Sequence, residues 1–129
     1  QIITKKMVAK KIKGSVINLS SQLGHVAAYN RTAYCSSKFA IEGFTKATAL
    51  DLGKFGIRVN SLAPTKTIAN NDKILNKKNR LNIIKKKIPL NEFTRKEDLA
   101  EICYFLTTAA CKNISGTSIK VDGAWTAGH

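Results

Sequence analysis

Acidic residues are scarce in this sequence: 8 Asp and Glu stand against 22 Lys and Arg in 129 residues, with only 3 Cys, 2 Pro, 1 Met and 1 Trp. Each shortage excludes something. No apolar run approaches the roughly 20 residues that a membrane-spanning helix needs, so no membrane partner is expected. The opening stretch, QIITKKMVAKKIKG, lacks the apolar core of a secretory signal. Cys35, Cys103 and Cys111 are scattered, and form neither a disulfide framework nor a metal-ligand spacing. They read as small core residues in a reducing compartment, which points to the cytoplasm. Internal repeats, low-complexity segments and domain linkers are also missing. A chain of 129 residues leaves no room for two independent cores, so it is one small domain or part of a larger one. With 43% hydrophobic and 23% charged residues, it is not a wholly disordered chain. Gln1 at the start and Met7 as the sole methionine suggest that the natural start lies upstream.

The net charge of +14 is concentrated in two places. Residues 1–13 carry five lysines and no acid; residues 66–87 carry eight basic side chains and one acid, Asp72. Such patches attract nucleic acid, anionic membrane surfaces or anionic substrates. No aromatic interleaving or DNA-binding motif accompanies them, so solvated helix faces are the plainer reading and nucleic acid is not an expected partner.

Along the chain, residues 2–12 set Ile2/Ile3, Met7/Val8 and Ile12 at helical spacing, the end of an amphipathic helix. Gly14 stops it, and residues 15–19 (SVINL) form a β-branched run suited to a buried strand. Residues 33–55 lack proline and carry two neighbouring apolar stripes, Ala40, Phe44 and Ala47 beside Ile41, Thr45, Thr48 and Leu52. This predicts a long helix with a broad buried face, with small residues at Ser36, Ala40, Gly43 and Ala47 for close packing. A second strand follows at residues 57–63 (IRVNSLA), closed by Pro64. Strand, helix and strand in this order predict a βαβ unit with parallel strands and a right-handed crossover. Further on, a lysine-rich helix over 72–87 would present Ile74, Leu75, Leu81 and Ile84. Thr94 and Glu97 have the spacing of a capping box opening a helix with Leu99, Ile102, Cys103, Leu106 and Ala110 on one face. A last strand is expected over 117–121. The fold class is α/β with three strands.

The chemistry sits in Tyr34-Cys35-Ser36-Ser37-Lys38, preceded by Asn18-Leu19-Ser20-Ser21. Tyr34 and Lys38 are four apart at a helix start, so their side chains share a face. A phenol is a poor base at neutral pH; an ammonium beside it favours the phenolate and makes a better general acid/base. A serine hydroxyl at the end of the preceding strand, Ser20 or Ser21, is placed to hold a carbonyl or alcohol oxygen. The centre then lies beyond the carboxyl ends of parallel strands, where open α/β sheets take their ligands. The plain alternative is an amphipathic helix start and a capped strand with no chemistry. His25 in the adjoining loop reads as a solvated side chain, Asn18 and Asn60 as backbone-bonding supports, and Trp125 as packing, for instance against a subunit neighbour, rather than as a ligand platform. Asp51, Asp72 and Asp122 form no acid/base pair.

Four segments in order, GSVINLSS at 14–21, YCSSK at 34–38, RVNSLAPT at 58–65 and SGTSIKVDGAW at 115–125, resemble the C-terminal half of a short-chain dehydrogenase/reductase. The resemblance implies the C-terminal portion of a Rossmann-like doubly wound parallel sheet. It implies NAD or NADP as cofactor, and an alcohol or carbonyl small molecule as substrate, of the kind handled by sugar dehydrogenases or 3-oxoacyl reductases. A homodimer or homotetramer is implied as well. By the same resemblance Tyr34 is the proton donor and acceptor, Lys38 supports it and bonds the nicotinamide ribose, and Ser21 rather than Ser20 orients the substrate. Pro64, Thr65 and Thr67 would line the nicotinamide carboxamide. Thr65 stands where many relatives have glycine, and Ala69 where threonine is common. The family's glycine-rich phosphate loop, its NAD/NADP-selecting residue and its fourth catalytic residue, an asparagine, have no counterpart in residues 1–129. The chain is therefore expected to be the substrate-side half of one Rossmann-like domain, inactive by itself. A truncated interaction module and a basic anion- or nucleic-acid-binding domain are the alternatives.

Overall fold

The computed structural model describes residues 2–68 and 78–128. Helix α1 (Ile2–Ala9) leads into strand β1 (Gly14–Leu19), and helix α2 (Thr32–Gly53) into strand β2 (Ile57–Pro64). Helix α3 (Lys78–Lys86), helix α4 (Lys96–Thr107) and strand β3 (Ser118–Val121) complete the order. The three strands form one parallel sheet in the order β1-β2-β3, with Gly14 opposite Ile57 and Ser61 opposite Ser118. The α/β class and the parallel βαβ unit expected from the sequence are both present.

Local chemistry explains the boundaries. Gly56 adopts φ +71, a left-handed conformation that lets the chain reverse between α2 and β2. Side chains alternate across a strand, so the two faces of the sheet are covered separately. On one face the Asn18 amide donates to Thr45 Oγ1 of α2 (2.9 Å). On the other the Ser15 hydroxyl donates to the Leu106 carbonyl of α4 (3.0 Å). The core gathers around β2, where Ile57, Val59, Leu62 and Ala63 are buried with Ile88, Leu106, Cys35 and Cys111. Asn60, also buried, ties the loop before β3: its amide donates to the Ile114 carbonyl (2.9 Å) and its Oδ1 accepts from the Thr117 N–H (3.2 Å). Asn60 thus bonds backbone as expected, whereas Asn18 reaches a side chain on α2.

Several expectations are corrected. The first helix ends at Ala9, and Ile2, Ile3 and Ile12 are exposed; only Met7 and Val8 are half-buried. Of the two stripes on α2, only Ile41, Thr45, Thr48 and Leu52 turn to the sheet. Ala40, Phe44 and Ala47 are exposed, as are Phe39 and Leu50. The residues expected to start the lysine-rich helix, including Asp72, Ile74 and Leu75, lie outside the described residues, as does Ala69. Leu81 and Ile84 are half-buried on α3. The box at the start of α4 is shifted by one residue. Asp98 accepts from the Arg95 N–H (3.3 Å), while the Thr94 hydroxyl donates across to the Val121 carbonyl (2.8 Å). Ala110 falls beyond α4 in a 3-10 turn and is exposed.

Candidate active site

Parallel strands bring their carboxyl ends to one edge of the sheet. Leu19, Ser20 and Ser21 leave β1 there, Thr65 and Thr67 follow β2, and Asp122 follows β3. The start of α2 brings Tyr34 and Lys38 to the same edge. At this edge lies a cavity of about 680 Å³ whose lining includes Ser21, Tyr34, Thr65 and Thr67.

The two serines have different surroundings. The Ser20 N–H extends the β ladder by donating to the Leu62 carbonyl (2.8 Å), and its hydroxyl turns toward the Lys38 carbonyl (3.5 Å). Ser20 does not line the cavity. Ser21 does; its Oγ accepts from the Leu23 N–H (3.2 Å), which fixes the oxygen and leaves its proton to donate elsewhere. Tyr34 is 44% exposed, open to the cavity. The Lys38 ammonium lies 5.7 Å from the Tyr34 ring centroid and donates to the Leu19 carbonyl at 3.1 Å, so one side chain joins α2 to the end of β1. Pro64 pairs with Val121 as the last residue of β2 and is not among the described lining residues. The Thr65 N–H also bonds the Val121 carbonyl (3.1 Å), and Thr67 forms a bridge with Thr94.

Two buried polar atoms among the described residues have no hydrogen-bond partner, Gln22 Oε1 and Thr65 Oγ1. Both belong to lining residues. Buried oxygens are normally paired, and these two are enclosed by protein atoms rather than open to the cavity.

Several lining residues were not legible in the sequence. Gln22, Arg31, Lys66, Lys87 and the apolar pair Ile83/Ile84 lie on the wall, giving it a cationic rim. Trp125, expected to pack elsewhere, also lines the cavity. It is held there by Asp122, whose carboxylate accepts from the Ala124 N–H (3.0 Å) and from the Thr126 N–H (3.1 Å) and hydroxyl (2.6 Å). His25 is not a solvated side chain. Its Nε2 lies 2.9 Å from Ser118 Oγ and 3.3 Å from Glu42 Oε1.

The parallel sheet flanked by helices has the architecture of Rossmann-like folds, and a tyrosine, a lysine and a serine stand at its carboxyl edge. Residues 2–126 match the profile of the Enoyl-(Acyl carrier protein) reductase family. The chain is 33% identical over 128 residues to L-xylulose reductase of Mus musculus, covering 98% of this chain and 52% of that protein. It is 33% identical over 134 residues to carbonyl reductase [NADPH] 2 of Sus scrofa, with 98% and 52% covered. Among solved structures, 4-hydroxyisoleucine dehydrogenase in complex with NADH superposes with a TM-score of 0.91 at 30% identity, covering 99% of this chain and 53% of that one. The chain belongs to the short-chain dehydrogenase/reductase family. It spans about half the length of the curated relatives it matches.

Proposed function

We propose that the protein is an NAD(P)-dependent oxidoreductase that interconverts an alcohol and a carbonyl, and that residues 1–129 are the substrate-side half of its single Rossmann-like domain. The observation that carries this reading is the convergence of Ser21, Tyr34 and Thr65 on one cavity, with Lys38 behind the tyrosine. Thr65, Thr67 and Gln22 line the side of the cavity where a nicotinamide would lie. Thr65 and Thr67, beside Pro64, would hold its carboxamide, and Lys38 the ribose hydroxyls. The bound cofactor supplies the hydride.

The residues of this chain supply position and proton. Ser21, its oxygen fixed by Leu23, donates a hydrogen bond to the substrate oxygen and turns the carbonyl toward Tyr34. Tyr34 gives its phenolic proton to that oxygen on reduction and takes it back on oxidation. Lys38 stabilises the phenolate left behind, because its ammonium, 5.7 Å from the ring centroid, attracts the negative charge. Relatives named for xylulose, erythrulose and threitol support a small polyol or ketose as substrate. The exposed apolar face of α2, with Tyr104 and Phe105 of α4, supports a homodimer or homotetramer. Three free cysteines, two of them buried, fit the cytoplasm.

The test is NAD(P)H oxidation by the full-length protein with a panel of carbonyl compounds. Tyr34→Phe should lower turnover by roughly 10²–10⁴-fold while cofactor binding is nearly kept. A Tyr34→Phe variant of near-normal activity refutes the reading. Residues 1–129 alone should bind NAD(P)H weakly and turn nothing over; tight binding in a calorimetric titration would contradict the assignment of this half.

A further inference from the structure

Glu42 is a carboxylate in an unusual place, 7% exposed between α2 and the sheet. Burying a charge there is unfavourable unless several donors compensate it, and an aliphatic side chain would pack with less cost. Three donors do converge on it. The Ser61 hydroxyl of β2 donates to Oε2 at 2.6 Å, the Ser118 hydroxyl of β3 to Oε1 at 3.2 Å, and His25 Nε2 lies 3.3 Å from the same Oε1. With Ser118 donating to the carboxylate, His25 Nε2 carries a hydrogen and points between Ser118 and Glu42. The carboxylate thus joins α2 to two strands and to the loop that leaves Ser21.

That loop is internally hydrogen-bonded over the five residues from Ser21 to His25. The Gly24 N–H bonds the Ser21 carbonyl (2.8 Å) and the His25 N–H bonds the Gln22 carbonyl (3.0 Å), closing a single 3-10 turn. The turn lies directly on α2: a Cβ added at Gly24 would come within 2.8 Å of Ser20 Oγ, 3.0 Å of the Lys38 carbonyl and 3.2 Å of Glu42 Cγ. Glu42 is one turn beyond Lys38, and Lys38 is one turn beyond Tyr34. Anchoring His25 on Glu42 therefore anchors Ser21 on the helix that carries the tyrosine.

We propose that His25 and Glu42 form a clamp that sets the distance between Ser21 and Tyr34, acting as positioning residues through the 3-10 turn rather than by touching substrate. The inference rests on the reading of Ser21, Tyr34 and Lys38 as the proton-transfer site. Displacing a reacting group by about 1 Å costs on the order of 10²-fold in rate, so loss of the clamp should be visible in turnover.

The test uses the full-length protein. His25→Leu should lower kcat by about tenfold or more, with the KM for NAD(P)H changed by less than about threefold, because the clamp acts on geometry and not on the cofactor. His25→Gln, whose side-chain amide can donate toward the same carboxylate, should recover kcat to within about threefold of the parent. Amide exchange at Leu23 and Gly24 should be faster in His25→Leu. A folded His25→Leu with parental kcat overturns the proposal, whatever its exchange rates. Where His25→Leu does not fold, His25→Ala removes the same contact to Glu42, and parental kcat in that variant overturns it equally. Tyr34→Phe run in parallel separates the two claims. A fully active Tyr34→Phe refutes the site itself, whereas an inactive Tyr34→Phe beside a fully active His25→Leu refutes the clamp alone.

Discussion

Replacing Lys38 by methionine keeps the length and apolar stem of the side chain and removes its charge. The ammonium lies 5.7 Å from the Tyr34 ring centroid, and at a charge separation of that order the attraction for a phenolate is about 3 kcal/mol at an effective dielectric of 20 and about 0.7 kcal/mol at that of water. Tyr34 is 44% exposed, which places the site between these limits. Converted at 1.36 kcal/mol per decade, Lys38→Met should slow proton transfer by roughly 3- to 140-fold. The lost bond from Lys38 to the Leu19 carbonyl adds a small loss of stability, so thermal unfolding should accompany the kinetics. The assay is single-turnover NAD(P)H oxidation by the full-length protein at saturating cofactor, and cofactor affinity should fall as well. A folded Lys38→Met with a rate within twofold of the parent would refute the assigned electrostatic role.

Thr65→Val removes a buried hydroxyl that lacks a partner, so the cofactor-free full-length protein should gain about 1 kcal/mol of stability while NAD(P)H binds several-fold more weakly. Unfolding curves and a fluorescence titration check the two halves, and unchanged cofactor affinity counts against the nicotinamide contact. Thr94→Val should cost about 1 kcal/mol through the lost bond to Val121, whereas Glu97→Ala should be close to neutral; a comparable cost for Glu97→Ala in chemical denaturation would restore the Thr94/Glu97 box. The Arg95 side-chain hydrogen bond holds the Asp98 carboxyl below its usual range, so its contribution is present above the unfolded carboxyl's titration and lost as pH falls through the depressed value. Asp98→Asn should flatten that part of the acid-unfolding curve.

The βαβ unit is legible from local pattern because its signals are local. SVINL and IRVNSLA are β-branched runs bounded by Gly14, Gly56 and Pro64, and a proline-free stretch with helical spacing lies between them. Tyr34 and Lys38 are legible for the same reason, since four residues on a helix is a fixed geometry. What escapes the sequence is set by contacts at long range. Thr94 has the right chemistry for a cap, but its hydroxyl is captured by a carbonyl 27 residues away. His25 looks like any loop histidine until β3 brings Ser118, 93 residues on, to its ring. Which stripe of α2 faces the sheet is equally hidden, because Phe44 and Ile41 are both apolar and only the packing separates them.

The two polar residues in the middle of β2 have a consequence for how the sheet assembles. A strand read only as I-V-L-A on its buried positions can pair with its neighbours one residue out of step, and such a slip turns every side chain to the opposite face. Asn60 and Ser61 make the slipped alignment untenable. Asn60 would lose the Ile114 carbonyl and the Thr117 N–H, and Ser61 would turn away from the carboxylate it bonds at 2.6 Å. Each group would then be buried with nothing to bond, whereas a slipped leucine or valine would merely find other carbon atoms. The pair works as a key cut into an otherwise smooth rod. Misaligned sheets are rejected by hydrogen-bond arithmetic, and the stagger of the strands' carboxyl ends is fixed with the register.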